Sequence, residues 1–146
     1  MLVHATSVAL KGRGGRWRAV LLRGPSGAGK SDLALRLIEK GGRLISDDQT
    51  RLAKERGTVF AAAPVALAGL IEVRGLGVVR LPGKQVLRRA PVGLLVDLVP
   101  PERVGRMPER RHEEVLAVAL PTVALAPFEA SAATKLILAM AQIAAP

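Results

Sequence analysis

Cysteine and tyrosine are absent from this chain, and its aromatic residues are one tryptophan and two phenylalanines. Without cysteine there is no disulfide and no thiolate-bound zinc, and His4 and His112 alone are too few for a histidine-rich metal centre. Any metal is therefore expected to be Mg²⁺ on oxygen ligands. With so few rings, the core has to be built from Leu, Val, Ile and Ala, which suits a buried α/β sheet. No apolar run approaches the roughly 18 residues of a membrane span, and the N-terminus lacks the basic-then-apolar plan of a signal peptide. A cytoplasmic protein without a membrane partner is expected.

What is present in excess is positive charge, a formal +10 over 146 residues. That field suits nucleic acid, an acidic protein or a phosphorylated ligand equally. The arginines are spread along the chain with no aromatics between them, so single-stranded nucleic acid has almost no rings to stack on. No nucleic-acid partner is expected. The length fits one domain, taken as residues 1–146.

Two apolar runs, Leu2 to Leu10 and Trp17 to Leu22, are separated by the turn-rich Gly12 to Gly15 and read as strands of a hairpin. After Arg23 and a glycine-rich stretch, Leu33, Ala34, Leu37 and Ile38 follow at helical spacing until Gly41 and Gly42. Arg43 to Ser46 reads as a short buried strand ending on Asp47 and Asp48. Further strands are expected within Val65 to Ala68, Leu70 to Val73, Val78 to Leu81, Leu94 to Val99, Val115 to Leu120 and Thr122 to Leu125. Pro100 to Glu114, rich in arginine, reads as a surface loop, and Glu129 to Ile143 as a final helix.

The stretch Gly24, Pro25, Ser26, Gly27, Ala28, Gly29, Lys30, Ser31 fits the P-loop pattern G-x-x-x-x-G-K-S in full. Its glycines let backbone N–H groups turn toward phosphate oxygens at the positive end of the following helix. Lys30 can reach the β- and γ-phosphates, and the Ser31 hydroxyl is placed to ligate Mg²⁺. The strand before and the helix after argue against a chance glycine turn. A nucleoside triphosphate such as ATP, with Mg²⁺, is the implied ligand.

Asp47 and Asp48 stand at a strand's C-terminal end, where open α/β sheets bind ligands. A right-handed crossover would set them beside the P-loop. One carboxylate could hold Mg²⁺ while the other takes the proton of an attacking hydroxyl; the bland alternative is a solvent-exposed turn or a helix cap. Asp97, after Leu94, Leu95 and Val96, competes for the metal role and is taken as structural by default.

The loop phrase also occurs in guanylate kinases and transporter ATPases. Neither fits, because no L-S-G-G-Q-like signature is present and the length leaves no room for the guanylate kinase lid. Taken in order, His4, the P-loop, Ser46-Asp47-Asp48, the run from Ile71 to Val78 with its Glu-x-Arg-Gly-Leu-Gly phrase, and Glu102 to Gly105 resemble the catalytic domain of HPr kinase/phosphorylase. Generic P-loop proteins do not require that phrase. By itself His4 on an apolar strand would be a structural histidine, Glu72 and Arg74 a cross-strand ion pair on one face, and Arg103 a solvated surface residue. Their ordered co-occurrence raises all three.

The resemblance implies a mixed α/β P-loop domain with flanking helices, related to phosphoenolpyruvate carboxykinase, in a form lacking the N-terminal domain of longer members. It implies transfer of phosphate from ATP to a serine of HPr, the phosphocarrier of the phosphotransferase system, with removal of that phosphate by phosphorolysis at the same site in many members, by a homo-oligomer, typically a hexamer. Carried over by position, Lys30 contacts phosphates, Ser31 and Glu72 serve Mg²⁺ with Asp47 beside them, Asp48 is the base, and His4 and Arg103 assist. Two departures stand out. The chain is short between Gly77 and Asp97, and Leu125-Ala126-Pro127-Phe128-Glu129-Ala130 replaces a family segment that carries two arginines. A small-molecule kinase and a non-catalytic ATP-dependent regulatory module are the alternatives.

Overall fold

The computed structural model describes residues 1–106 and 111–143. Residues 107–110, which include Pro108 and Arg110 of the polar segment, lie outside the described residues, as do 144–146. In chain order the elements are β1 (Leu2–Val3), β2 (Ala5–Lys11), β3 (Trp17–Arg23), α1 (Lys30–Glu39), β4 (Arg43–Ser46), β5 (Thr50–Glu55), β6 (Thr58–Ala62), β7 (Leu70–Val73), β8 (Gly77–Arg80), β9 (Arg89–Leu98), β10 (Arg111–Val115), β11 (Val118–Leu125) and α2 (Ala132–Gln142).

One mixed sheet runs in the order β1-β5-β6-β9-β3-β2-β4, with β11 parallel to β9 and β10 antiparallel to β11. The long β9 joins its parts: Arg89 to Pro91 pair with β6, while Val92 to Asp97 pair in parallel with β3. β7 and β8 form a separate two-stranded ribbon.

The period-two pattern of the central strands explains why both sheet faces are buried. Val8, Leu10, Val20, Leu22, Leu94 and Val96 face one cluster, which takes Leu33, Leu37 and Ile38 of α1 and Leu136 and Met140 of α2. Ala9, Ala19, Leu21 and Leu95 alternate with them and face a second cluster with Leu52, Val59 and Leu120. Both helices therefore share one face, and the curl of the sheet covers the other. Leu37 is fully buried, and its truncation to Ala would cost roughly 2–5 kcal/mol. Helix α1 ends where the N–H groups of Lys40, Gly41 and Gly42 return to the carbonyls of Leu37 and Ile38.

Several boundaries depart from the sequence expectations. The Leu2 to Leu10 run breaks at His4, because β1 pairs with β5 whereas β2 pairs with β3 and β4. Val65–Leu67 is a 3-10 turn rather than a strand, and Arg74 lies in the turn beyond β7, so Glu72 and Arg74 do not share a strand face. The arginine-rich segment contributes β10, which with β11 makes a hairpin whose turn residues Leu116 and Ala117 have φ of 50° and 62°. The closing strand is thus one continuous β11 through Pro121. The final helix begins at Ala132, later than Glu129.

Candidate functional site

The glycine loop leaves the end of β3 and enters α1 at Lys30. Gly29 has a φ of 95°, and a Cβ there would stand 3.0 Å from the Phe128 ring, so both backbone and space require glycine. A Cβ on Gly24 would come within 2.9 Å of the Ala28 Cβ, and the Ala28 N–H closes the loop on the Pro25 carbonyl at 3.0 Å. Lys30 is buried, and its Nζ donates to the carbonyls of Gly24 at 2.7 Å and Pro25 at 3.1 Å. A cationic amine is thereby held inside the curl of its own loop.

Strand β4 ends beside this loop, since β4 pairs with β2 and β2 with β3. Asp47 binds across that gap. Its Oδ1 accepts from Ser31 Oγ at 2.7 Å and from Thr6 Oγ1 at 3.0 Å, while Oδ2 accepts the Glu72 backbone N–H at 2.9 Å. One carboxylate thus ties together the helix start, β2, and the β7 strand that carries Glu72. The Glu72 side chain is exposed.

Asp48 adopts φ 65°, a left-handed conformation that aspartate tolerates better than most residues. Its N–H donates to Thr6 Oγ1 at 3.0 Å, and its Oδ1 lies 2.5 Å from His4 Nε2. Both side chains remain about half exposed, 51% for His4 and 59% for Asp48, so an incoming group can reach them. The unbroken path His4, Asp48, Thr6, Asp47, Ser31 links a solvent-accessible carboxylate to the first turn of α1.

Arg103 is not part of this path. It sits in the exposed turn Pro101–Arg103, and no side-chain hydrogen bond involves it among the described residues. Asp97 is drawn elsewhere: Arg23 Nε and Nη2 donate to its two oxygens at 2.9 and 3.2 Å, and the same guanidinium donates to Glu113 at 2.6 and 2.9 Å. The hydrogen bond from Arg23 holds the Glu113 carboxyl below its ordinary range, and the two carboxylates raise the guanidinium further. Asp97 is thus an ion-pair partner between β9, β3 and β10, in keeping with its structural reading.

Over the other side of the loop lies the segment from Leu125 to Ala130. Arg36 of α1 donates to the Pro127 carbonyl and, at 3.4 Å, to that of Glu129, while its Nε pairs with Asp32 at 3.1 Å. Glu129 is turned toward Lys135, 3.2 Å away.

The whole arrangement can be compared with known proteins. The family described as HPr Serine kinase C-terminal domain matches residues 1–144. The chain belongs to that family. Relatives named HPr kinase/phosphorylase include that of Lactobacillus acidophilus, 39% identical over 102 residues, which are 66% of this chain and 30% of that protein. The Geobacillus thermodenitrificans protein of the same name is 32% identical over 132 residues, 84% of this chain and 41% of its own length. The chain therefore spans less than half the length of these HPr kinase relatives. Among solved structures, the Hpr(Ser) kinase/phosphatase from Coxiella burnetii superposes with a TM-score of 0.80 at 25% identity, over 95% of this chain and 94% of that one.

Within this HPr kinase-type domain, sequence reasoning missed Thr6, Arg23 and Arg36. Thr6 carried a signal in the sequence: it lies two residues after His4 in the run from Leu2 to Leu10, which reads as one strand with both residues on one face, although the structure breaks that strand at His4. Arg23 and Arg36 carried none, because their partners Glu113 and Pro127 are 90 and 91 residues away.

Proposed function

We propose that the chain is a single P-loop catalytic domain over residues 1–146 that transfers the γ-phosphoryl group of ATP to a serine of an HPr-like phosphocarrier protein. The reading rests on the path from His4 and Asp48 through Thr6 and Asp47 to Ser31, which couples an accessible base to a phosphate-binding loop. Family membership and the names of the relatives support the carrier as acceptor. The phosphoenolpyruvate carboxykinase-like ancestry belongs to the same reading.

The residues fit ATP and Mg²⁺ on chemical grounds. Ser31 Oγ and Asp47 Oδ1 are hard oxygen donors 2.7 Å apart, with Glu72 held next to them through its backbone, a set suited to Mg²⁺. Bound there, Mg²⁺ would neutralise charge on the β- and γ-phosphate oxygens. Lys30 exchanges its two carbonyl partners for phosphate oxygens and offsets their charge, together with loop N–H groups at the start of α1.

Asp48 accepts the proton of the serine hydroxyl as the serine oxygen bonds to the γ-phosphorus. The bond from that phosphorus to the β,γ-bridging oxygen breaks, and its electron pair leaves with ADP. His4, donating from Nε2 to the ionised carboxylate, holds Asp48 in line. Arg103 supplies further positive charge from the exposed turn. The test is transfer of label from γ-labelled ATP to a carrier protein, with a serine-to-alanine carrier as control; label that does not depend on the serine would refute the assignment.

A further inference from the structure

Phe128 is one of only three aromatic residues in the chain, yet it is 71% exposed. Its ring stands against the phosphate loop, where Cε1 and Cζ would each be 3.0 Å from a Cβ on Gly29. The position is held from both sides, since Arg36 donates to the carbonyls of Pro127 and Glu129. A largely exposed aromatic ring on an anchored backbone beside the glycine loop is unlike a residue left over from core packing.

Sheet order gives that ring a direction. β2 and β4, which lead out of His4 and into Asp47 and Asp48, lie on one side of β3, whereas β9 and β11 lie on the other. A triphosphate on the loop with its γ-phosphorus toward Asp48 must direct its nucleoside end the opposite way. That end meets the loop after β11, where Phe128 stands. We propose that Phe128 is the stacking face for the nucleobase, so that the segment lacking the family's two arginines contributes to nucleotide binding. The inference rests on the ATP-binding reading above.

Calorimetric titration with Mg-ATP and with Mg-tripolyphosphate, which has the phosphates but no base, separates the possibilities. Phe128→Ala is expected to weaken ATP binding roughly tenfold and leave tripolyphosphate within about twofold. Phe128→Trp is expected to restore ATP binding. Equal losses for both ligands would mean that the ring only shapes the loop at Gly29, and no loss for either would mean that it is uninvolved; both results overturn the proposal. If the unsubstituted protein bound neither ligand, the nucleotide site itself would be wrong and this inference would go with it.

Discussion

His4 Nε2 lies 2.5 Å from Asp48 Oδ1, although the two residues are 44 positions apart and belong to different connections of the sheet. The contact exists because the β1 to β2 crossing at His4 and the end of β4 are brought to the same edge by β2, which pairs with β4. It gives Asp48 a fixed partner while leaving its carboxylate about half exposed.

Asp48→Asn should remove phosphoryl transfer by a factor of about 10² to 10⁴, the usual range for a lost general base. Asn tolerates the left-handed backbone at this position, so the fold should hold and Mg-ATP affinity should stay within about threefold. Asp97→Asn should instead leave turnover nearly intact and lower stability by about 1 kcal/mol or less, since Arg23 and Asp97 are partly exposed. Steady-state kinetics beside denaturant melts decides; the opposite pattern would make Asp97 the essential carboxylate.

Lys30→Ala should abolish productive ATP use, with transfer reduced by at least about 10²-fold. Nucleotide binding should weaken rather than vanish, because the loop N–H groups remain. Transfer within a few-fold of the unsubstituted protein would place the catalytic nucleotide elsewhere.

Thr6→Val tests the middle of the path. Thr6 is fully buried and its hydroxyl both donates to Asp47 and accepts from the Asp48 N–H, so its loss should cost roughly 1–3 kcal/mol of stability. Because Asp47 loses a partner, the Mg²⁺ concentration for half-maximal activity should also rise. An unchanged Mg²⁺ dependence would confine Thr6 to folding.

The Glu113 carboxyl, lowered by its hydrogen bond from Arg23, contributes stability above its ordinary value of 4.5 and loses that contribution as pH falls through its lower folded value. The stability difference between the native chain and Glu113→Gln should therefore be largest near pH 7 and shrink as the pH is lowered beneath 4.5. The difference should stay within about 1 kcal/mol, given the exposure of the pair. Urea midpoints across that range provide the measurement, and a difference that grows with acidity would reverse the sign of the coupling.

The reverse reaction should be slow relative to the forward one. Phosphorolysis must hold inorganic phosphate beside a phosphoserine, and cations that offset this repulsion matter more there. Beside the glycine loop, the Arg36 guanidinium is already engaged by Asp32 and the carbonyls of Pro127 and Glu129. Pyrophosphate release from serine-phosphorylated carrier, phosphate and Mg²⁺ should lag the kinase rate by at least about tenfold. Equal rates would mean that other arginines, such as Arg106 or Arg111, take that role.

Local pattern was sufficient for the strand, glycine loop and helix from Trp17 to Glu39, because alternation, loop glycines and helical spacing are properties of adjacent residues. Asp47 and Asp48 were also legible, as paired acids after a short apolar strand. The break at His4, the 3-10 turn at Val65–Leu67 and the continuity of β11 through Pro121 were not, since each depends on which distant strand supplies a partner.

By itself, then, the sequence determined that a G-x-x-x-x-G-K-S loop, an acidic pair and an ordered set of family residues occur in one chain, since covalent order and side-chain chemistry are enough for that. Only the tertiary structure decided how the acids divide. Asp47 turns to Ser31 and Thr6, Asp48 to His4, and Asp97 to Arg23, because pairing of β2 with β4 and of β3 with β9 sets which side chains come within hydrogen-bonding distance. The exposed Phe128 ring against Gly29 was likewise out of reach of the sequence, for a contact 99 positions apart is made by the sheet order that brings β11 beside β9 and by Arg36, which holds the segment down.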